Sequence, residues 1–309
     1  QEKRIVVVID EYPYLAKAMP AVSAMLQHLI DHKWNDSKMI LILCGSSMSF
    51  MEHQVLGQES PLYGRRTGQF KIEPMDYRET ATFHPELSDT DNALIYGITG
   101  GVPHYINKLD VRDTIDDALL ENFFDRSAYL YEEPANLLKQ ELREPAIYNA
   151  IIKSIAEGAS RSNEIVTKTG EDSSIVTKYL KTLTDLGIVK RETPITEKFG
   201  RKTNYLLADN FFRFWYRFVP TNVSAIDSGR IAKTYAHAVK PYFADYMGLV
   251  FEQMCKEYLL YYAKDLPIEL NELGQWWGTD PIQKKQIQID IVGTPVEGRS
   301  YLILSLIHI

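Results

Sequence analysis

The chain has 309 residues, 45% of them hydrophobic and 24% charged, which suits two or three folded domains, each with its own core. No run approaches the roughly 18 apolar residues a membrane span needs, and the N-terminal stretch is strand-like rather than a basic leader with a cleavage site. Only Cys44 and Cys255 occur, far apart and each inside an apolar stretch, so a disulfide scaffold and a cysteine-rich zinc site are excluded and a reducing cytoplasm, with no membrane partner, is expected.

The net charge of −7 argues against a protein that simply coats nucleic acid. It is unevenly spread. Residues 76–144 carry 15 acids and 6 bases, whereas residues 145–205 carry 10 bases and 7 acids.

In chain order, residues 4–9 form a continuous β-branched run, the pattern of a strand buried on both faces of a parallel sheet. A helix is predicted from about Tyr14 to His32, then a second buried strand over Lys38–Cys44, giving a strand–helix–strand unit of an α/β domain. Residues 69–74 read as one more short strand. Residues 76–142 are helical and acidic, broken by Gly97, Gly100, Gly101 and Pro103, and are expected to form a lid on the sheet domain.

Helices are predicted next over Ala146–Ala156, Ser162–Thr169 and Ser173–Leu186, the second stopped by Gly170 and the third by Gly187. Strand-like pieces follow at 188–192 and 203–207. Three helices and a β-hairpin, in that order, predict a winged helix-turn-helix. The aromatic run Phe211–Phe218 has helical spacing and reads as interdomain core rather than a base-stacking platform. Helical patterns continue to about Lys264, and strands are expected around 287–292 and from Tyr301 onward.

The chemistry starts at Val6-Val-Val-Ile-Asp10-Glu11. A buried strand that delivers two adjacent carboxylates at its C-terminal end is the Walker B arrangement. One carboxylate, Asp10, helps hold Mg²⁺ on nucleotide phosphates, and the other, Glu11, polarises the attacking water. The next strand ends at the polar pair Ser46-Ser47, where P-loop ATPases carry a polar sensor beside the γ-phosphate. Pro61-Leu-Tyr-Gly-Arg65-Arg66 offers two arginines for phosphate charge, and Gly97-Ile-Thr-Gly-Gly-Val-Pro-His-Tyr105 lies in the lid.

With these segments ("CGSS" at 44–47, "PLYGR" at 61–65, "GGVPxY" at 100–105) the sequence resembles the archaeal-type P-loop ATPases, relatives of the AAA+ and signalling (STAND) ATPases. The resemblance covers at least residues 4–110 and implies ATP and Mg²⁺ as cofactors, with Asp10, Glu11, Ser46, Arg65 and Arg66 at the catalytic site. One departure matters. No G-x-x-x-x-G-K-[ST] occurs; Gly200-Arg-Lys-Thr203 lacks the first glycine and falls in the predicted hairpin. In the family the phosphate loop precedes the Walker B strand, so the chain is expected to start after it and to hydrolyse ATP poorly, although its parent is expected to be an ATPase.

In the predicted recognition helix, Ser174, Thr177, Lys178, Lys181 and Thr182 face outward for a DNA groove, while Ile175, Val176, Tyr179, Leu180, Leu183 and Leu186 pack inward. The wing adds Lys190, Arg191, Lys198, Arg201 and Lys202 for phosphates. Winged helices also serve as protein-binding modules, so DNA is the expected partner but not the sole reading.

The resemblance extends to a C-terminal domain like the PD-(D/E)XK nucleases, whose site combines a helix acid, a strand Asp and an E-x-K on the following strand. Glu252 and Asp290 match the first two; the third is absent, because the chain ends Leu304-Ser-Leu-Ile-His-Ile309, which reads as a translated library adaptor. DNA cleavage is therefore not expected of this chain.

The resulting expectation is an α/β fold: a partial P-loop ATPase core (1–75), a helical lid (76–143), a winged helix (144–210), an incomplete nuclease-like domain (211–303) and an artefactual tail (304–309). Functionally it is a fragment of an ATP-driven switch that acts on or near DNA. The alternatives are a nucleotide-gated transcriptional regulator, or a signalling ATPase whose winged helix binds protein, with homo-oligomer or partner contacts through the lid.

Overall fold

A computed structural model of the chain describes residues 4–35, 37–46, 50–51, 55, 57–109, 111–142, 144–195, 197, 202–280 and 282–305. They divide into two compact units, 1–73 and 74–309.

In the first unit, strand β1 (Ile5–Ile9) and strand β2 (Met39–Leu43) pair in parallel, from Ile5 opposite Met39 to Ile9 opposite Leu43. The ladder continues past the strand ends: Cys44 N donates to Ile9 O at 3.1 Å, and Tyr12 N donates to Cys44 O at 2.8 Å. Between the strands run helices α1 (Tyr12–Ala18) and α2 (Val22–Leu29), the latter running on as a π-turn over Ile30–Trp34. One helix was expected here. Pro20 divides it: the residue before a proline is driven out of helical conformation, and Met19 sits at φ −132°, ψ 83°.

Tyr12, Val22, Leu26, Val55 and Leu62 form this unit's buried core. The strand expected to be buried on both faces is largely open, with Ile5 59% and Val6 56% exposed. The β-branched run does make a strand, but among the described residues β2 is its one ladder neighbour and too few side chains cover it. Residues 69–74 do not form the expected strand. They are irregular, no described strand pairs with them, and Phe70 is 91% exposed.

The second unit begins with helices α3 (Tyr77–Ala81), α4 (Asp89–Thr99), α5 (Pro103–Lys108), α6 (Ile115–Phe123) and α7 (Tyr129–Glu141). Side chains at their N-termini fix several starts. Asp76 and Glu79 form a reciprocal capping box on α3, and Ser88 and Thr114 cap α4 and α6. Gly100 ends α4 in the left-handed region (φ 65°), and Gly101 follows at φ 73°. A Cβ on Gly101 would lie 1.9 Å from Met75 O, so glycine is required both for the turn and for this close approach.

Helices α8 (Pro145–Ala156), α9 (Ser162–Thr169) and α10 (Ser173–Asp185) come next, then the antiparallel pair β3 (Val189–Glu192) and β4 (Asn204–Leu207). The aromatic run is helix α11 (Asn210–Phe218), capped by Asp209. Phe211, Phe212, Phe214 and Phe218 are buried, so the run is core. It joins a single apolar cluster that extends from Ile95 of α4, through α8 and α10, to Val250.

Beyond two short helices, α12 (Val223–Asp227) and α13 (Ile231–Ala238), helix α14 (Phe243–Tyr261) leads into an antiparallel sheet in the order β5–β6–β7: Leu270–Thr279, Gln286–Pro295 and Leu302–Leu304. The ten-residue β5 exceeds anything anticipated there. Its alternation is blurred by register shifts between Leu270 and Glu272 and between Gly274 and Trp276. Among the described residues, no helix is long and apolar enough to cross a membrane.

Candidate functional site

At the C-terminal ends of β1 and β2 the chain places Asp10, Glu11 and Ser46 side by side. The Ser46 hydroxyl donates to both carboxylate oxygens of Glu11, at 3.2 and 3.3 Å. Glu11 N donates to Asp10 Oδ1 at 2.9 Å, which folds the aspartate over the strand end. The turn is unusual for its residue type, since Glu11 is held at φ 49°, ψ 41°. A non-glycine residue in this region costs about 1 kcal/mol or more and persists where its surroundings impose it. Here the Tyr12–Cys44 bond and the start of α1 impose it.

Gly45 completes the arrangement. A Cβ there would meet the Pro13 ring at 2.4 and 2.6 Å, so the helix start and the end of β2 approach closely only because residue 45 has no side chain. Asp10 and Ser46 are exposed and Glu11 is half-buried, so all three are open to a ligand. The neighbouring Ser47 lies outside the described residues.

The two arginines are engaged elsewhere in this unit. Arg65 makes a bidentate pair with Asp31, Nε to Oδ1 and Nη2 to Oδ2 at 2.8 Å each. It also donates to the carbonyls of Pro61 and Tyr63. The hydrogen bond from Arg65 holds the Asp31 carboxyl below its ordinary range. Arg66 donates to Gln69 Oε1. The partnership of Arg65 with Asp31 was not visible in the sequence, because nothing local marks two residues 34 positions apart as neighbours.

In the helical segment, Ser174, Thr177, Lys178 and Lys181 are exposed along α10, while Val176, Tyr179, Leu180 and Leu183 are buried. In the hairpin, Lys190 pairs with Glu192 at 2.5 Å and Lys202 with Glu197 at 3.9 Å, while Arg191 is exposed. Lys198 and Arg201 lie outside the described residues. Ile195 N donates to Gln275 O at 2.9 Å, which ties the loop after β3 to β5.

Glu252 on α14 is buried and accepts from Lys256 Nζ at 2.6 Å and from Gln275 Nε2 at 2.5 Å. Asp290 on β6 is also buried, and the Ser305 hydroxyl lies 3.5 Å from its Oδ2. Burial, reinforced by the Glu252 charge, pushes the Cys255 thiol up, away from thiolate chemistry. Among the described residues, no group of three His, Cys, Asp or Glu side chains is placed to hold a metal ion by itself. Leu306–Ile309, most of the expected artefactual tail, lie outside the described residues.

Residues 1–109 match a family described as an ATPase domain predominantly from Archaea, and residues 215–305 match a family of archaeal and bacterial proteins of unknown function. Both matches support an archaeal-type ATPase family. The chain is similar to an uncharacterized protein of Methanocaldococcus jannaschii, 35% identical over 275 residues. That alignment takes in 88% of this chain and 62% of the relative, so the chain spans less than two thirds of the relative's length. No solved structure matches the chain.

Proposed function

We propose that the chain is part of an ATP-binding and ATP-hydrolysing switch that acts on or near DNA through a winged helix. The observation that carries the ATPase reading is the Ser46–Glu11 hydrogen bond across the C-terminal ends of two parallel strands, inside the segment that matches the ATPase family. In this reading Asp10 holds Mg²⁺ jointly with the nucleotide phosphates. A lone exposed carboxylate suits Mg²⁺, which keeps most of its ligands as water and phosphate oxygens. The ion supplies charge neutralisation at the phosphates. Glu11 orients the attacking water, and Ser46 keeps the Glu11 carboxylate aimed while sensing the phosphate beside it. Arg65 and Arg66 stay candidates for phosphate charge; Arg65 would first have to leave Asp31.

The phosphate loop belongs, on this proposal, to sequence that precedes residue 1 in a longer parent. The exposed apolar faces of β1 support that, because a parallel strand of this composition is ordinarily covered on both sides. Equilibrium titration with ATP and Mg²⁺ on the longer parent and on this chain side by side tests it. Binding by the parent, much weaker binding by the chain, and hydrolysis reduced at least about 100-fold by Glu11→Gln are the expected results. A parent that binds no nucleotide removes the ATPase reading.

The winged-helix reading rests on the outward row Ser174, Thr177, Lys178 and Lys181, with Lys190, Arg191, Lys198, Arg201 and Lys202 as phosphate contacts. A protein-binding winged helix is the second reading, favoured by the Lys190–Glu192 and Lys202–Glu197 pairs that offset the hairpin's charge. We give Glu252 a structural role, because its Oε1 accepts from both Lys256 and Gln275. Asp290 is assigned to the same nuclease-like scaffold, with no cleavage step.

A further inference from the structure

The second unit contains a cleft of about 270 Å³ where the ends of α4 and α11 meet the side of α14 and the segment 74–76. Three carboxylates line it, those of Asp76, Asp209 and Glu257, together with the rings of Tyr96 and Tyr261. No lysine, arginine or histidine is among its lining residues. Arg213, whose charge acts on Asp209, directs its guanidinium donors to Leu207 O.

Each carboxylate is fixed by its own donors. Asp76 Oδ1 accepts from Glu79 N and Oδ2 from the Tyr262 hydroxyl. Asp209 Oδ1 accepts from Phe212 N, and Glu257 Oε1 accepts from Tyr96 OH at 2.7 Å and Gln253 Nε2 at 2.9 Å. An independent observation comes from Asn210, which also lines the cleft. Asn210 is only 2% exposed, yet its amide Oδ1 has no hydrogen-bond partner. Buried polar atoms of this kind are rare in folded proteins and call for a donor.

We infer that this cleft binds a small organic cation, an amine or guanidinium that presents several N–H donors to the surrounding oxygens. Acceptor oxygens without a lining base define the sign of the ligand, and the two tyrosine rings suit a flat or alkyl-linked cation better than a hydrated ion. A bare metal ion fits less well, because no three metal-ligating side chains among the described residues converge on one point. Burial holds the carboxyls of Asp209 and Glu257 above their ordinary range, in Asp209 against the opposing charge of Arg213. This site is separate from the strand-end carboxylates and does not depend on the ATPase reading.

The test is calorimetric titration of the full chain with agmatine, putrescine and spermidine, alongside citrulline as a neutral isostere of arginine and Mg²⁺ as the competing cation. Saturable binding of at least one organic cation is expected, with none by citrulline and no displacement by equimolar Mg²⁺. Glu257→Gln should weaken that binding at least tenfold. Should that variant misfold, Tyr261→Ala alters a largely exposed side chain and is expected to weaken binding about threefold. The inference is overturned if none of the three cations binds saturably, if citrulline or Mg²⁺ binds equally well, or if the folded variants bind as tightly as the unaltered chain.

Discussion

The two units of this chain solve burial in different ways. In the second, one apolar cluster unites the acidic helices, the helix–hairpin segment and the start of α14, with seven aromatic side chains among those at 2% exposure or less. In the first, five of the described residues form the core and a two-stranded sheet leaves β-branched side chains open to solvent. A two-stranded sheet is marginal unless further elements cover it. The contrast teaches that the unit with the clearest chemical motif has the least packing of its own. Its polar site is held by backbone hydrogen bonds and the close fit of Gly45 against Pro13 rather than by a core.

The largest expected effect separates the units directly. Phe214→Ala removes a fully buried ring from α11 and should cost about 3–5 kcal/mol in urea unfolding of the second unit. Val8→Thr on the exposed part of β1 should change stability by no more than about 0.5 kcal/mol. Equal losses at the two sites would break the comparison.

Gly101→Ala comes next. Its Cβ would collide with Met75 O at a positive φ, and a loss of about 2–3 kcal/mol is expected by the same measurement. Gly45→Ala meets a proline ring rather than backbone, so its effect should be smaller and should appear first as loss of the Ser46–Glu11 bond in a crystal structure.

Glu257 sharpens the contrast through pH. Burial raises its carboxyl above the ordinary 4.5, against the lowering by Tyr96 and Gln253. A raised folded value makes the folded state the stronger proton binder. That contribution is present below pH 4.5 and is lost as pH rises through the raised value. The unfolding free energy of the unaltered chain, read from urea titrations, should therefore fall across that interval relative to Glu257→Gln. A difference that does not vary with pH would count against the assignment.

The smallest effect on stability belongs to Lys178→Ala with Lys181→Ala. Both side chains are exposed, and the double variant should unfold within about 0.5 kcal/mol of the parent. If the segment of α8–α10 and the β3–β4 hairpin binds DNA, its salt dependence, read as the slope of log K against log salt, should become shallower by about 2. An unchanged slope would favour the protein-binding reading.

Much of the local structure was legible in advance because its determinants are local. Gly170 and Gly187 end helices, and the apolar spacing of Ser173–Asp185 fixes which face is buried. The carboxylate pair at Asp10 and Glu11 was legible for the same reason, since a strand followed by a turn places both at one end. The strand misread at 69–74 shows the limit. Apolar residues there satisfy the pattern, but a strand exists only if a ladder partner is present.

By itself, then, the sequence determined the helix limits between residues 146 and 186, the β1–β2 pattern, the acidic and basic partition and the resemblance to archaeal ATPases, because each depends on residues close in the chain. Only the tertiary structure decided that Arg65 belongs with Asp31, that Ser46 supports Glu11, that Gly45 and Gly101 are steric requirements, and that Asp76, Asp209 and Glu257 share one cleft. Those partners lie tens to more than a hundred residues apart. No local preference encodes their meeting, which follows from how the helices and strands pack.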